Sequence, residues 1–205
     1  MSEPEKLYFS YNHIHKLCKQ SAVDIKKFAP SLIISIGGGG NIPSRILRTF
    51  LKEKGQKNIP IQVIGLSLYE NLGTTSEDDQ IGKEVIRTQW LDFSALGEHF
   101  DSLIGKNILI VDEVDDTRTT LHYAVSELAK DVAKEAARLN RNDTTKFGIF
   151  VLHNKDKPKK AQFTSEISQE NYFAALTVPD KWLCYPWDAE DIDEHTAKAV
   201  EQGYI

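Results

Sequence analysis

The residues of this chain that could do chemistry are concentrated at positions 112–120. They directly follow a short apolar run, 108–111, which is typical of a buried parallel strand. The polar set consists of acids and threonines: Asp112, Glu113, Asp115, Asp116, Thr117, Thr119 and Thr120. Carboxylates bind Mg²⁺ and sugar hydroxyls, and the free N–H groups at a helix N-terminus bind phosphate. This stretch would therefore suit a ligand that carries ribose, phosphate and metal.

The alternative for 112–120 is a solvated loop in front of a helix. Such a loop explains one or two acids well, because negative charge is favourable at a helix N-terminus. It explains four neighbouring acids poorly, because like charges at this spacing repel one another. A phosphatase with an aspartyl nucleophile would need Asp-x-Asp directly after the strand, and Val114 stands at the third position instead. The pattern favours a site for metal and sugar phosphate.

Four consecutive glycines, 37–40, follow a second apolar run, 32–36. Without a Cβ, their backbone N–H groups can approach an anion closely. A tight turn between a strand and a helix explains the glycines equally well. The run is not a nucleoside-triphosphate loop, because no Lys-Ser or Lys-Thr pair follows Gly40. It is also a weak dinucleotide fingerprint, because the helix that follows opens with Asn-Ile-Pro.

The elements that would position these residues follow from apolar periodicity. Helices are predicted at 12–28, from Asn41 onward, at 118–137 and at 190–202. Ser10 or Asn12 would cap the first helix, and Asn41 the second. Strands are predicted at 32–36, 61–66, 85–91, 108–111, 147–152 and 172–178, with a polar loop at 70–84.

Strands that alternate with helices indicate an α/β fold with a parallel sheet. Ligands of such sheets bind at the carboxyl ends of the strands. Three polar segments follow predicted strands here: 37–40, 112–120 and 153–160. We expect them to meet at one edge of the sheet and form a single site.

Composition limits the class of protein. The chain has 205 residues, enough for one domain with a substantial core, and its net charge of −5 argues against a nucleic-acid binder. Cys18 and Cys184 are too few for a disulfide framework or a zinc site, so reduced thiols in the cytoplasm are expected. No apolar run approaches the roughly 20 residues of a membrane span, and no signal-peptide pattern is present, so neither a membrane nor secretion is expected.

The sequence Val-Asp-Glu-Val-Asp-Asp-Thr-Arg-Thr-Thr at 111–120 resembles the 5-phosphoribosyl 1-pyrophosphate (PRPP) motif of type I phosphoribosyltransferases. Residues 36–39 are similar to the family's pyrophosphate loop, and 178–182 and 185–188 to the purine-binding end of its 6-oxopurine enzymes. The resemblance covers nearly the whole chain. It is greatest to the fungal enzymes that act on xanthine, hypoxanthine or guanine, and 61–73, 81–93 and 182–195 look nearer to the xanthine enzyme.

The resemblance implies a single phosphoribosyltransferase domain, 1–205, with a parallel sheet flanked by helices. A small hood subdomain would include about 67–91 and the C-terminal part, 172–205. The implied reaction is purine salvage, in which PRPP and a 6-oxopurine give the nucleoside 5′-monophosphate and pyrophosphate. Mg²⁺ is the implied cofactor, and a homodimer is the implied assembly.

The resemblance also assigns roles to residues. Asp112 and Glu113 would bind the ribose hydroxyls directly or through Mg²⁺, and Asp116 would be the catalytic general base near N7 of the purine. The PRPP and phosphate site would comprise Asp112, Glu113, Asp115, Asp116, Thr117, Arg118, Thr119, Thr120, Gly37, Gly38 and Gly39. The purine site would comprise Trp182, stacked on the base, Leu183, and Lys155 or Lys157 as donor to O6. The metal ligands would be Asp112, Glu113 and Asp188.

The chain departs from the family pattern at two positions. Many members have glycine where Arg118 stands, so this side chain either contacts phosphate or points to solvent. Several members have lysine or arginine where Gly37 stands, which removes a positive charge from the pyrophosphate site. Arg45, one turn into the next helix, is a weak substitute, because a surface role explains it better.

Two further questions concern the hood and the class of function. Ser67, Tyr69 and Arg87 are candidate hood contacts, with an ordinary surface loop as the alternative. The alternative function is a regulator of the same fold that binds PRPP or a nucleotide without catalysis. The presence of both Asp116 and Trp182 favours the enzyme.

Overall fold

The computed structural model describes residues 5–68, 85–91 and 102–205 of the chain. The strands are β1 (Lys6–Tyr8), β2 (Leu32–Gly37), β3 (Ile61–Leu68), β4 (Val85–Gln89), β5 (Asn107–Asp115), β6 (Lys146–Asp156), β7 (Tyr172–Pro179) and β8 (Trp182–Cys184). The helices are α1 (Tyr11–Phe28), α2 (Asn41–Leu51), α3 (Thr119–Leu139), α4 (Ser165–Glu170) and α5 (Ile192–Glu201), with a short 3₁₀ helix at Pro186–Asp188.

Six of these strands form the main sheet, in the order β4-β3-β2-β5-β6-β7. All neighbouring pairs are parallel except β3 and β4, which are antiparallel. The predicted α/β class and parallel sheet are therefore confirmed. Since β2 pairs with β3 on one side and with β5 on the other, the order of the strands reverses at β2. A reversal of this kind opens a crevice for ligands at the carboxyl ends of the strands.

The core lies in two layers, one on each face of the sheet. Leu109 and Val111 of β5 pack with α1 and α2, whereas Ile108 and Ile110 of the same strand pack with α3. Alternation arises because successive side chains of a strand point to opposite faces. Both faces are covered by helices, so the central strands are apolar throughout, as the run 108–111 indicated.

Several boundaries differ from those predicted. The strand β5 continues through Asp115 and β6 through Asp156, because their parallel ladder extends past the apolar runs and pairs Asp115 with Asn154. Three of the predicted site acids thus lie in a strand and not after it. Ser10 caps α1 by accepting from the His13 N–H at 3.1 Å, which confirms one of the two proposed caps. The predicted cap of α2 was wrong.

Asn41 does not cap α2 because it is the first residue of that helix, and Gly40 takes the cap position. The side-chain oxygen of Asn41 instead accepts from the Ser35 hydroxyl at 2.7 Å. This bond ties the start of α2 to β2. It therefore fixes the turn that the glycines make.

A second, two-stranded sheet was not predicted. The strands β1 and β8 pair in parallel, with Lys6 opposite Trp182 and Tyr8 opposite Cys184. Each has only three residues, too few to show a period of two. This sheet fixes the segment that the resemblance assigned to the purine. In the described part of the chain, no helix is long and apolar enough to cross a membrane.

Candidate active site

The acids at the end of β5 face one another in a crowded, partly buried cluster. Burial and the neighbouring charge of Glu113 raise the pKa of Asp112 well above its usual value. Burial and the same charge raise the pKa of Asp188. The Oε2 atom of Glu113 is buried without a hydrogen-bond partner. Three carboxylates that repel one another in this way would be stabilised by a cation.

A Mg²⁺ ion fits this donor set only with help from a ligand. Among the described residues, no group of three or more His, Cys, Asp or Glu side chains is arranged to hold a metal ion by itself. Mg²⁺ commonly binds proteins through one or two carboxylates and takes its remaining oxygens from phosphates and water. Asp112 and Glu113 are therefore suited to a metal that arrives with a phosphorylated substrate.

The glycine loop packs directly against the acids. A Cβ built on Gly39 would collide with the carboxylate of Glu113, and one on Gly40 would collide with the carbonyl oxygen of Val111. Gly38, by contrast, has open space where its Cβ would be. The glycines can thus make a tight turn and also give an anion access to their N–H groups. The loop is close to β5 on one side and open on the other.

The helix α3 begins at Thr119, directly after the acids. Its first N–H groups have no partners within the helix, which leaves them free for an anion. The hydroxyl of Thr117 lies 3.0 Å from that of Thr119, so the two threonines line the same turn. Thr120 is the second residue of α3. The predicted arrangement of acids beside a helix N-terminus is present.

Arg118 does not extend from this turn into solvent. Its Nε and Nη2 atoms donate to Oδ2 of Asp115 at 3.0 and 2.9 Å, and the Tyr172 hydroxyl donates to the same oxygen at 2.7 Å. The Asp115 side chain is fully buried. Arg118 has a positive φ of 70°, a conformation that glycine adopts without strain and other residues rarely adopt.

Asp116 lies among two lysines and a second carboxylate. Its Oδ1 is 3.1 Å from the Nζ of Lys157 and 3.5 Å from that of Lys155. Asp180 completes the group, 2.9 Å from Lys157 and 3.5 Å from Lys155. Lys157 donates hydrogen bonds to Asp180 and to Asp116, which raise the pKa of Lys157, and its bond to Asp180 lowers the pKa of that carboxyl. Lys157 is therefore held charged beside Asp116.

Asp180 was not predicted as a site residue, although it belongs to the segment that carried the resemblance. Its signal is positional: it follows Pro179, the last residue of β7, and β7 is the neighbour of β6. A carboxylate at that point must face the lysines at the end of β6. Sequence spacing alone does not show which strands are neighbours.

A cavity of about 460 Å³ adjoins this group. It is lined by Glu5, Lys155, Pro179, Asp180, Lys181 and Trp182. Trp182 is 61% exposed, so it is not a core aromatic. Leu183 follows it on β8 and is half-buried. The size is within the range of small-molecule sites, and an exposed indole faces solvent with its ring available for stacking.

A network of His153, Tyr185 and Trp187, which was not predicted, packs against the end of β5 that carries the acids. His153 Nδ1 and the Tyr185 hydroxyl are 2.8 Å apart, and that hydroxyl donates to the carbonyl oxygen of Glu113 at 3.1 Å. The ring of Trp187 stacks on that of Tyr185 with centroids 4.6 Å apart. The network joins the 3₁₀ segment, which carries Asp188, to the end of β5.

Some candidates lie apart from the site. Arg45 is exposed and donates to Thr49 of its own helix at 2.9 Å. Arg87 on β4 pairs with Glu127 and donates to the Tyr123 hydroxyl at 3.1 Å, so it anchors β4 to α3. Ser67 is exposed on β3. Tyr69 and most of the predicted hood loop lie outside the described residues.

Two fungal enzymes are similar to the chain along its whole length. The chain is 64% identical to xanthine phosphoribosyltransferase 1 of Saccharomyces cerevisiae, and the match covers 100% of both. It is 60% identical to the hypoxanthine-guanine phosphoribosyltransferase of Schizosaccharomyces pombe, over 98% of each. No family model matches the sequence.

Solved structures have the same fold. A hypothetical protein from Neisseria gonorrhoeae with bound ppGpp is 35% identical, with a TM-score of 0.74 over 98% of this chain and 99% of that one. The purine phosphoribosyltransferase from Pyrococcus horikoshii is 22% identical, with a TM-score of 0.64 over 91% of this chain and 96% of that one.

Proposed function

The chain belongs to the family of purine phosphoribosyltransferases, and we propose that it uses the residues around Asp116 to transfer the phosphoribosyl group of PRPP to a 6-oxopurine. The N–C1′ bond forms, the bond from C1′ to pyrophosphate breaks, and a proton leaves the imidazole ring of the base. Family membership and the type I phosphoribosyltransferase fold were both predicted from the sequence and are confirmed. The observation that carries the residue assignment is the contact of Asp116 with Lys155 beside the cavity of Trp182.

PRPP is proposed to bind along the carboxyl edge of β2 and β5. The turn at 116–120 holds the 5′-phosphate, because the first N–H groups of α3 have no partners within the helix and the hydroxyls of Thr117 and Thr119 lie 3.0 Å apart beside them. Gly38 faces open space beside the acids, so the glycine loop offers N–H groups to the pyrophosphate. Asp112 and Glu113 accept from the ribose hydroxyls.

We propose Mg²⁺ as the cofactor, held by oxygens of the substrate together with one or two of the carboxylates of Asp112, Glu113 and Asp188. The raised pKa values of Asp112 and Asp188 support this assignment, because both arise from burial and from the charge of Glu113. A divalent ion bound there would neutralise the charge that develops on the leaving pyrophosphate.

The base is proposed to occupy the cavity between Lys155 and Trp182. Lys155 is the better candidate for the donor to O6, because it lines this cavity, whereas Lys157 is engaged by Asp180 and Asp116. Asp116 takes or holds the proton that leaves the imidazole ring. Positioning of this kind contributes roughly 100- to 10,000-fold to a rate.

The choice among xanthine, hypoxanthine and guanine depends on the group at C2 of the base. An amine there needs an acceptor and an oxo group needs a donor, so a fixed site discriminates strongly between them. Both relatives are about equally similar to this chain, at 64% and 60% identity. We therefore propose that the acceptor is a 6-oxopurine: xanthine, hypoxanthine or guanine.

We also propose a cytoplasmic homodimer with small-molecule substrates and products only: PRPP, a 6-oxopurine, pyrophosphate and the nucleoside monophosphate. The family resemblance supports the dimer and the two unpaired cysteines suit a reducing compartment. The net charge of −5 supports the absence of a nucleic-acid partner. We propose in addition that residues 1–205 form a single phosphoribosyltransferase domain. Its hood would include about 67–91 and 172–205.

One assay tests the function directly. The protein is mixed with PRPP, Mg²⁺ and each purine base in turn, and release of pyrophosphate is measured. Turnover with at least one 6-oxopurine, and none with adenine, is expected. Absence of turnover with every 6-oxopurine, combined with tight binding of PRPP, would instead support the non-catalytic regulator.

A further inference from the structure

Lys159 is a nearly buried lysine that lies next to the turn at 116–120, the proposed phosphate turn. Its Nζ donates to the carbonyl oxygens of Asp115 at 2.7 Å, Asp116 at 2.9 Å and Lys155 at 2.9 Å. Its side chain is only 10% exposed. Three bonds use every donor of the ammonium group, so the side chain has one fixed geometry. No role for it follows from the sequence motifs.

The charge of Lys159 is balanced by the buried carboxylate of Asp115. The Nζ of Lys159 lies 3.6 Å from Oδ1 of Asp115, while Arg118 and Tyr172 occupy Oδ2 of the same group. The guanidinium of Arg118 in turn lies over the ring of Phe163, at 4.5 Å from its centroid. Two cations thus share one buried carboxylate.

The three carbonyl groups belong to both halves of the proposed site. The carbonyl groups of Asp115 and Asp116 lie at the start of the phosphate turn. The third carbonyl group is that of Lys155, the proposed donor to O6 of the base. A cation bound at a carbonyl oxygen polarises the whole peptide group, so its N–H becomes a stronger donor. The N–H groups affected here are those of Asp116 and Thr117, in the turn proposed to hold the 5′-phosphate.

We propose that Lys159 is a positioning residue, which fixes Asp116 relative to Lys155 and polarises the peptide groups of the phosphate turn. Asp115, Arg118 and Tyr172 hold Lys159 and the turn in place and do not contact the ligand. This inference rests on the proposed function, because it assigns the 5′-phosphate to the turn at 116–120. Arg118 would then neither contact the phosphate nor point to solvent, the two alternatives given by the sequence, but would hold Asp115 and the turn in place.

The test compares Lys159→Met with Lys159→Arg and with Lys160→Met, whose exposed side chain is the matched control. Steady-state kcat and KM are measured for PRPP, and calorimetry measures the affinity for ribose 5-phosphate. Lys159→Met is expected to weaken both PRPP and ribose 5-phosphate by about 10- to 100-fold, since misplacement of binding groups is costly. Lys159→Arg should recover much of the loss, and Lys160→Met should match the wild type.

A purely structural role predicts a different result. Lys159→Met would then unfold at a lower temperature, while the folded protein kept the wild-type KM and affinity, and the proposal would be overturned. If Lys159→Met does not fold, Tyr172→Phe tests the same network, because it removes one bond to Asp115. A severalfold weaker affinity for ribose 5-phosphate is expected there, and an unchanged value contradicts the proposal. The calorimetric readout does not require turnover, so failure of the proposed function would be seen separately in the wild type.

Discussion

The carboxylate of Glu113 fills the space that a β-carbon on Gly39 would need. The acid therefore packs against the backbone of the glycine loop with no side chain between them. This contact joins β5 to the loop after β2, at the point where the order of the strands reverses. It places the residues proposed for the ribose and for the pyrophosphate side by side, as one substrate that carries both groups requires.

Substitution of Gly39 by alanine should disturb this contact. We expect Gly39→Ala to displace the carboxylate of Glu113 and to raise KM for PRPP, with little loss of stability, because the colliding atoms are the far end of a flexible side chain. Gly40→Ala should cost about 1–3 kcal/mol through overpacking, because its β-carbon would meet the backbone carbonyl oxygen of Val111. For a chain of this size the midpoint of thermal unfolding of Gly40→Ala would fall by roughly 2–12 °C. Gly38→Ala is the matched control for stability, because its β-carbon meets open space, and it should keep the wild-type midpoint. Equal midpoints for Gly40→Ala and Gly38→Ala would contradict the packing argument.

Asp116→Asn should separate catalysis from binding. The amide keeps the size of the side chain but cannot take the proton from the imidazole ring, so kcat should fall roughly 100- to 10,000-fold. The Kd for PRPP, measured by calorimetry in the absence of base, should change little, because the phosphate is held by backbone N–H groups and hydroxyls. Loss of PRPP binding in this variant would mean that Asp116 chiefly positions the ligand.

The two lysines should differ in importance. Lys155→Met removes a charged donor from the wall of the base cavity, which should reduce kcat/KM for the base by roughly 10- to 150-fold. Lys157→Met removes a partner of Asp180 and Asp116 and should have a smaller effect on the same quantity. A larger loss in Lys157→Met than in Lys155→Met would reverse the assignment of the donor to O6.

Much of the fold could be predicted from the sequence because the central strands are continuous apolar runs and the helices have regular apolar stripes. The strands β2 and β5 and the helices α1 and α3 are of this kind. The strand β8 was missed, because three residues cannot show a period and its pairing with β1 is a contact between the two ends of the chain. Such long-range pairings have no local signal.

The site was predictable where its residues are consecutive and less so where they meet through space. The motif at 112–120 is contiguous, so its acids and threonines could be identified together. Lys159 and Asp180 contribute through strand neighbours, β6 with β5 and β6 with β7, that the sequence does not specify. Arg118 was ambiguous because its direction depends on a positive φ and on a buried partner, Asp115.

Trp182 is exposed and available for stacking, so its removal should affect binding and not folding. Stacking of a base on an aromatic side chain is worth about 1–3 kcal/mol by alanine substitution, so Trp182→Ala should raise KM for the base roughly 5- to 150-fold. Trp182→Phe should retain most of the affinity. Tyr11→Ala removes another exposed aromatic, on α1, and serves as the control. A wild-type KM in Trp182→Ala would remove this residue from the base site.

The buried imidazole of His153 should make the protein sensitive to acid. Burial, and then the nearby His13, lower the pKa of His153 from 6.5 to about 3 in the folded chain. Below pH 6.5 the unfolded chain binds a proton at this residue and the folded chain does not, so acid favours unfolding until the pH approaches the folded pKa. The stability that His153 retains at neutral pH is therefore lost as the pH falls from about 6.5 to about 3.

His153→Gln should remove this sensitivity, because glutamine does not titrate. Between pH 7 and pH 5, the wild type should lose about 2 kcal/mol more of its free energy of unfolding than the variant does, as measured by urea denaturation at both pH values. The variant should be less stable than the wild type at pH 7, since it disturbs the bond to Tyr185 and the stack on Phe9. The exposed His15→Gln should keep the pH dependence of the wild type. Parallel pH profiles for the wild type and His153→Gln would show that His153 takes up its proton in the folded protein as readily as in the unfolded chain.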